Sequence, residues 1–164
     1  MTEQPRRRIL VVHGANLELL GKREPSVYGS VTLAEIRTAM ESGAARREVD
    51  LEWFSSNHEG EIVDALGGAL GKVDGVVINP GGYTHTSVAI RDALLALSVP
   101  VVEVHISNIH AREDFRRESL ISDVVTGTIS GLGAGGACYA LDALVDLLEG
   151  ASLPTIAPGG RESR

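Results

Sequence analysis

Short, continuously apolar runs alternate with amphipathic segments along most of the chain. Residues 9–12 and 75–79 carry apolar side chains at nearly every position, which is typical of strands buried on both faces of a sheet. Residues 33–47 place apolar side chains three and four positions apart, which predicts a helix. The pattern predicts strands at residues 9–12, 50–56, 75–79, 101–106 and 124–130, and helices at residues 33–47, 61–70, 86–97 and 135–148.

Five strands that alternate with helices predict an α/β fold of three layers, in which helices cover both faces of a five-stranded parallel sheet. Crossovers between parallel strands are right-handed, and we expect the strand order 2-1-3-4-5 of flavodoxin-like folds. One domain is expected over residues 1–150. Residues 151–164 contain proline and glycine without a periodic core pattern, so we expect a disordered tail there.

The composition narrows the function classes. A formal net charge of -7 argues against nucleic acid as the main partner and against an anionic membrane surface. No apolar run approaches the ~20 residues of a membrane span, and the basic start lacks the cleavage site of a signal peptide. The single cysteine, Cys138, excludes an intramolecular disulfide and a cysteine-based zinc site, and it fits a cytoplasmic protein. The five histidines lack the spacing of a zinc site, so we expect no metal.

The predicted fourth strand carries two ionisable residues near its exit, Glu103 and His105. Because they are two positions apart, their side chains project from the same face of the strand. A carboxylate beside an imidazole fixes the tautomer of the ring and favours its protonated form, as a general acid requires. The alternative is an ion pair at a strand end without a chemical role.

Other polar residues follow the predicted strands at the edge where ligands bind in such sheets. Asn16 follows the first strand, and Asn79 ends the third. The long connection at residues 17–31 can cover the same edge, as binding loops often do. It contains Arg23 and Tyr28, which a proline-containing turn can bring together; a guanidinium beside a phenol favours the phenolate, a base able to remove a proton next to a carbonyl. The alternative is a surface tyrosine that packs the loop.

Residues 79–87 form a third polar cluster, which leads into a predicted helix. Thr84 or Thr86 can cap that helix, and the N–H groups of a helix start suit a carboxylate or a polyol. His85 is a candidate ligand contact, and the alternative is a capped turn. The glycine pattern at residues 131–136 matches a dinucleotide-binding motif, but no later strand supplies its acidic residue, so close packing of a strand against a helix explains the glycines better.

Several ordered blocks of the sequence resemble type II 3-dehydroquinate dehydratase, over residues 8–149. They include GKREP with Tyr28-Gly29, SNHEG, NPGGYTHTS and EVHISNIHARE. The resemblance implies a flavodoxin-like domain assembled as trimers and usually as dodecamers. It also implies elimination of water from 3-dehydroquinate, a small-molecule substrate, to give 3-dehydroshikimate without a cofactor. The biosynthetic shikimate pathway is the expected setting, with quinate catabolism or a non-catalytic flavodoxin-like binding protein as alternatives.

The resemblance also implies roles for individual residues. Tyr28 would remove the proton next to the ketone, assisted by Arg23, and Asn16 would hold a water against the enolate oxygen. His105, oriented by Glu103, would protonate the departing hydroxyl. The implied substrate-binding residues are Ile106 and Ser107 for the carboxylate, Asn79, His85 and Arg116 for the ring hydroxyls, Arg112 in the loop region beside the site, and Asp92, which would reach a neighbouring subunit's site.

The sequence departs from the family pattern in its first block. His13-Gly14-Ala15-Asn16 stands where the family usually has asparagine, glycine, proline and asparagine. Loss of a proline frees the backbone of a turn. We therefore expect a looser turn before Asn16.

Overall fold

The computed structural model describes residues 5–150. Its strands are β1 (Arg7–His13), β2 (Val49–Ser55), β3 (Gly75–Asn79), β4 (Val101–His105) and β5 (Gly127–Ser130). Its helices are α1 (Pro25–Tyr28), α2 (Leu33–Arg47), α3 (Glu59–Gly68), α4 (Val88–Leu95) and α5 (Gly136–Glu149). Short 3-10 turns lie at Leu17–Leu19, Gly81–His85, Ile109–Ala111, Asp114–Arg116 and Gly133–Gly135.

The five strands form one parallel sheet in the order β2-β1-β3-β4-β5, which confirms the predicted flavodoxin-like fold. Both faces of the sheet are buried, as the unbroken apolar runs predict. On β1, Ile9 and Val11 pack into the layer of α2 and α5, whereas Leu10 and Val12 pack into the layer of α3 and α4. Alternate side chains of one strand therefore supply two separate cores.

The N-termini of α2 and α4 are each capped by a side-chain hydroxyl. The predicted capping box at α2 is present: the Thr32 hydroxyl accepts the Glu35 N–H, and the Glu35 carboxylate accepts the Thr32 N–H. At α4 the predicted cap by Thr84 or Thr86 is wrong, because Ser87 accepts the Ile90 N–H at 2.9 Å. The Thr84 hydroxyl is buried and donates to a carbonyl within the preceding 3-10 turn instead. The helix therefore begins at Val88, not at residue 86.

Other boundaries also differ from the prediction. The strand predicted at residues 124–130 begins only at Gly127, because Val124 and Val125 donate their N–H groups to Ile121 in a turn while their side chains pack against a core. The connection at residues 17–31 contains the short helix α1, which its irregular pattern did not indicate. The predicted tail at residues 151–164 lies outside the described residues. None of the helices in residues 5–150 is long and apolar enough to cross a membrane.

Candidate active site

A cavity of about 120 Å³ opens at the carboxyl ends of β1, β3 and β4, the edge where ligands bind in this fold. Two of the predicted site residues do not line it: Glu103 reaches it only through His105, and Asp92 is exposed on α4. The other ten predicted residues line it together: Asn16, Arg23, Tyr28, Asn79, His85, His105, Ile106, Ser107, Arg112 and Arg116.

The cavity has two kinds of wall. We call Asn79 and His105, which stand on strand ends and are buried, the strand wall. Four side chains from the connections between strands form what we call the loop wall: Asn16, Arg23, Tyr28 and Arg112. The strand wall is held by the hydrogen bonds of the sheet, whereas the loop wall depends on contacts between turns.

Glu103 and His105 are joined at the end of β4, as their two-residue spacing predicts. Val102 and Val104 pack into the layer of α2 and α5, so the two ionisable side chains share the opposite face. The Nε2 atom of His105 lies 2.6 Å from Oε1 of Glu103, and both side chains are buried. Oε1 also accepts the Ser119 hydroxyl, so it acts as an acceptor toward the ring; Nε2 donates to it, and Nδ1 is the ring nitrogen left for other partners.

Tyr28 ends the short helix α1, and its phenol oxygen accepts a hydrogen bond from Nη1 of Arg112 at 2.5 Å. The Arg112 guanidinium also lies over the phenol ring, 5.3 Å from its centre. The predicted partner, Arg23, lines the same cavity, but its Nε faces the Glu24 carboxylate at 3.3 Å. Arg23, the arginine nearer in sequence, therefore pairs with the adjacent Glu24. The arginine that donates to the phenol, Arg112, comes from a distant part of the chain.

Asn16 is held in a left-handed backbone conformation, with φ of 67°. Its N–H donates to Oδ1 of Asn57 at 2.8 Å, and the Asn57 carbonyl in turn accepts the hydroxyl of Tyr83 at 2.6 Å. These hydrogen bonds hold the Asn16 end of the turn, and the looser turn expected without a proline stays a prediction. Asn57 lies within one of the resembling blocks, but no feature of its local pattern indicated this contact.

The exits of β1 and β3 pack backbone to backbone. The Gly14 N–H donates to the Asn79 carbonyl at 2.8 Å, and a Cβ at Gly14 would overlap the Pro80 carbonyl. Gly81 has φ of 62°, and a Cβ there would overlap the Ala15 carbonyl. Only glycine allows the two backbones to approach this closely. The approach brings Asn16 and Asn79, the two asparagines of the predicted site, into one cavity.

His85 is oriented by the segment that precedes β5. Its Nδ1 lies 2.6 Å from the carbonyl oxygen of Glu118. A carbonyl only accepts, so Nδ1 carries the proton and Nε2 is free to face a ligand. The Leu120 N–H donates to the carbonyl of Thr84 at 2.9 Å and fastens the same segment to the turn that carries His85.

The turn after β4 contributes Ile106 and Ser107, and the end of β5 supports it. The Ser130 hydroxyl donates to the Ser107 carbonyl at 3.1 Å. Gly131 has φ of 84°, and a Cβ there would press against Asn108. The tight contact of this glycine motif therefore lies between two loops, and not between a strand and a helix as predicted; at Gly136, where α5 begins, a Cβ would make only ordinary contacts with Ile129 and Val104.

Cations line the opening of the cavity. Glu113 lies 3.5 Å from Nε of Arg112 and 3.3 Å from Nε of Arg116. A backbone hydrogen bond, together with the two guanidinium groups, lowers the pKa of the Glu113 carboxyl. This carboxylate places both arginines at the rim, where they can meet an anionic ligand.

His13, the residue that departs from the family pattern, is buried below the cavity. Its ring stacks on Trp53, with centres 5.9 Å apart and an angle of 18°. Arg37 lies over the Trp53 ring at 5.4 Å. Burial, and secondarily the charge of Arg37, lower the pKa of His13 to about 4.

The fold and this site define a flavodoxin-like α/β enzyme whose cavity combines a phenol, a carboxylate-paired imidazole and several guanidinium groups. The family model described as "Dehydroquinase class II" matches residues 7–145. The chain therefore belongs to the class II dehydroquinase family.

Individual relatives agree with this assignment. The chain is 51% identical over 142 residues to a 3-dehydroquinate dehydratase of Halothermothrix orenii, covering 87% of this chain and 96% of the relative. It is 58% identical over 135 residues to a catabolic 3-dehydroquinase of Verticillium alfalfae, covering 82% and 90%. The crystal structure of a type II dehydroquinase from Butyrivibrio crossotus is 42% identical with a TM-score of 0.83, covering 85% of this chain and 97% of that one.

Proposed function

We propose that this protein eliminates water from 3-dehydroquinate to give 3-dehydroshikimate, as a hydro-lyase. One observation carries the proposal: the fold brings Tyr28, the Glu103–His105 pair and the arginines together at one cavity. Elimination next to a ketone needs a base for a carbon-bound proton and an acid for the departing hydroxyl. Relatives that share about half of the sequence carry the name of this enzyme.

Tyr28 is proposed as the base. Its phenolate takes the proton next to the ketone, and the electron pair moves onto the carbonyl oxygen to form an enolate. Arg112 donates a hydrogen bond to the phenol oxygen, and Arg23 adds a second positive charge at the same cavity. Asn16 holds a water against the enolate oxygen, which is an oxyanion-stabilising role.

His105 is proposed as the acid. The enolate collapses, the carbon–oxygen bond to the leaving hydroxyl breaks, and His105 gives that hydroxyl a proton so that it departs as water. Glu103 holds the Nε2 proton, so the proton that His105 gives is a second one, carried on Nδ1 of the imidazolium form, and the ring is left neutral after the step. The proton lost to Tyr28 and the proton given by His105 balance, and no redox partner or cofactor enters the reaction.

The remaining cavity residues are proposed to hold the substrate. The backbone N–H groups and the hydroxyl at Ile106 and Ser107 bind its carboxylate. Asn79, His85 and Arg116 bind its ring hydroxyls, and the free Nε2 of His85 suits such a contact. Binding of this kind orients the substrate between base and acid.

The test is the rise in ultraviolet absorbance as the conjugated enone forms from 3-dehydroquinate. Wild type and a Tyr28→Phe variant run side by side, with Tyr139→Phe, an exposed tyrosine on α5, as the matched control. We expect product from wild type and the control and none from Tyr28→Phe. No product from folded wild type refutes the reaction, whereas full activity in Tyr28→Phe keeps the reaction and refutes the base.

We also propose a homo-oligomer built from trimers, in the form of a dodecamer. Supporting this, the single chain exposes large apolar side chains on α4, α5 and nearby turns, including Val88, Leu95, Leu132 and Leu147. Asp92 is exposed on α4, where a neighbouring subunit's cavity can receive it. Light scattering coupled to size exclusion gives the mass directly, and a monomer would refute the proposal.

The proposed setting is aromatic biosynthesis in the cytoplasm. Relatives carry the name 3-dehydroquinate dehydratase or catabolic 3-dehydroquinase. Deletion of the gene in the native organism tests the role: a requirement for aromatic amino acids supports biosynthesis, whereas loss of growth on quinate alone refutes it in favour of catabolism. Fractionation of the native cells tests the compartment.

A further inference from the structure

One segment, residues 118–120, contacts His85 directly and is linked to His105 through Glu103. The Glu118 carbonyl accepts from Nδ1 of His85, as described above. The next residue, Ser119, donates its hydroxyl hydrogen bond to Oε1 of Glu103 at 2.7 Å. Glu103 Oε1 is the same atom that meets His105. Ser119 is therefore one hydrogen bond removed from the proposed acid.

The environment of Ser119 directs its hydroxyl proton. Its Oγ accepts the N–H of Ile121 at 3.2 Å and that of Ser122 at 3.1 Å. With these two donors in place, the single O–H is left to donate, and it points to the carboxylate. The turn at residues 119–122 thus holds the hydroxyl in one orientation.

The Glu103 carboxylate depends on few partners. Its Oε1 receives both the Ser119 hydroxyl and His105 Nε2, while Oε2 is buried without a hydrogen-bond partner among residues 5–150. A carboxylate group rotates about its last bond unless contacts hold it, because that torsion has a broad profile. Loss of Ser119 would leave His105 as the single hydrogen bond to this side chain, and the pair would be free to turn.

We infer that Ser119 is a positioning residue which sets the orientation of His105 by keeping Oε1 of Glu103 on its Nε2 atom. The inference rests on the proposed function, since His105 must face the leaving hydroxyl for the elimination. A hydrogen bond to a charged group is comparatively strong, and partners of this kind fix a histidine without touching substrate. Ser119 itself does not line the cavity of about 120 Å³.

The test compares steady-state kinetics of variants at position 119. Ser119→Ala should lower kcat on the order of tenfold, with KM changed less than about twofold, because substrate contacts stay while the acid is misaligned. Ser119→Thr, which keeps the hydroxyl, should recover most of the rate. Ser122→Ala is the matched control, because its hydroxyl reaches only the Ser119 carbonyl, at 3.4 Å; it should behave as wild type.

A double variant separates positioning from general damage to the turn. If Ser119 acts through Glu103, adding Ser119→Ala to Glu103→Ala should change kcat less than about twofold, because the intermediary is already absent. An undiminished tenfold loss in that background, or wild-type kcat in Ser119→Ala alone, overturns the inference. If wild type itself fails to convert 3-dehydroquinate, the proposed function has failed instead.

Discussion

The buried ring of His13 makes a prediction about acid stability. It is stacked on Trp53 and lies near the charge of Arg37, and its pKa is about 4 against an ordinary value of 6.5. The unfolded chain takes up this proton near pH 6.5, but the folded chain does so only near pH 4. Between these values the unfolded state binds more protons, so the free energy of unfolding falls as the pH falls.

The two pKa values set the size of the effect. Between about pH 7.5 and about pH 5, the linkage relation gives a loss of about 2 kcal/mol in the free energy of unfolding from His13 alone. The loss approaches about 3 kcal/mol once the pH is below both values. Such a change is a large part of the stability of an ordinary domain.

Urea unfolding at a fixed protein concentration measures this effect across the pH range. His13→Asn removes the titrating ring, and its free energy of unfolding should lose about 2 kcal/mol less than wild type over the same interval. His58→Asn is the control, because His58 is exposed; it should follow wild type. Parallel pH curves for wild type and His13→Asn would refute the reasoning.

Three further substitutions test other contacts. Arg112→Ala removes the donor to the phenol and should lower kcat in the enone assay by at least about tenfold; wild-type kcat would contradict its proposed role. Thr32→Ala removes the cap of α2 and should cost about 1 kcal/mol in urea unfolding with activity unchanged. Gly14→Ala should abolish activity in the same enone assay, because the new Cβ overlaps the Pro80 carbonyl, whereas Gly67→Ala, in open space, should be tolerated.

Local periodicity was enough to predict the sheet and one part of the site. Buried parallel strands leave unbroken apolar runs, and a two-residue spacing on a strand fixes a shared face, so Glu103 and His105 were found from the pattern alone. The same signal misled at Val124 and Val125, which are apolar because they pack against a core, although their backbone forms a turn. The periodicity of apolar residues shows which side chains are buried more directly than it shows how the backbone is hydrogen-bonded.

Contacts between distant segments left no such signal. The sequence favoured Arg23 as the partner of Tyr28 because it is near in the chain, yet Arg112, 84 residues away, donates to the phenol. Ser119 lies in a polar stretch of the chain, and nothing in the sequence pattern distinguishes its hydroxyl from those of neighbouring residues. Its role follows only from the fold, which brings residues 118–120 beside β4 and the turn that carries His85.

The division of the cavity into a strand wall and a loop wall has a consequence for how long a ligand stays. A compound held by Asn79 and His105 alone can leave as soon as those contacts break. A compound that also contacts Tyr28 and Arg112 is held in addition by two connections that a hydrogen bond joins at the cavity, so we expect its release to be slower. Residence time, more than equilibrium affinity, would then distinguish inhibitors of the two kinds.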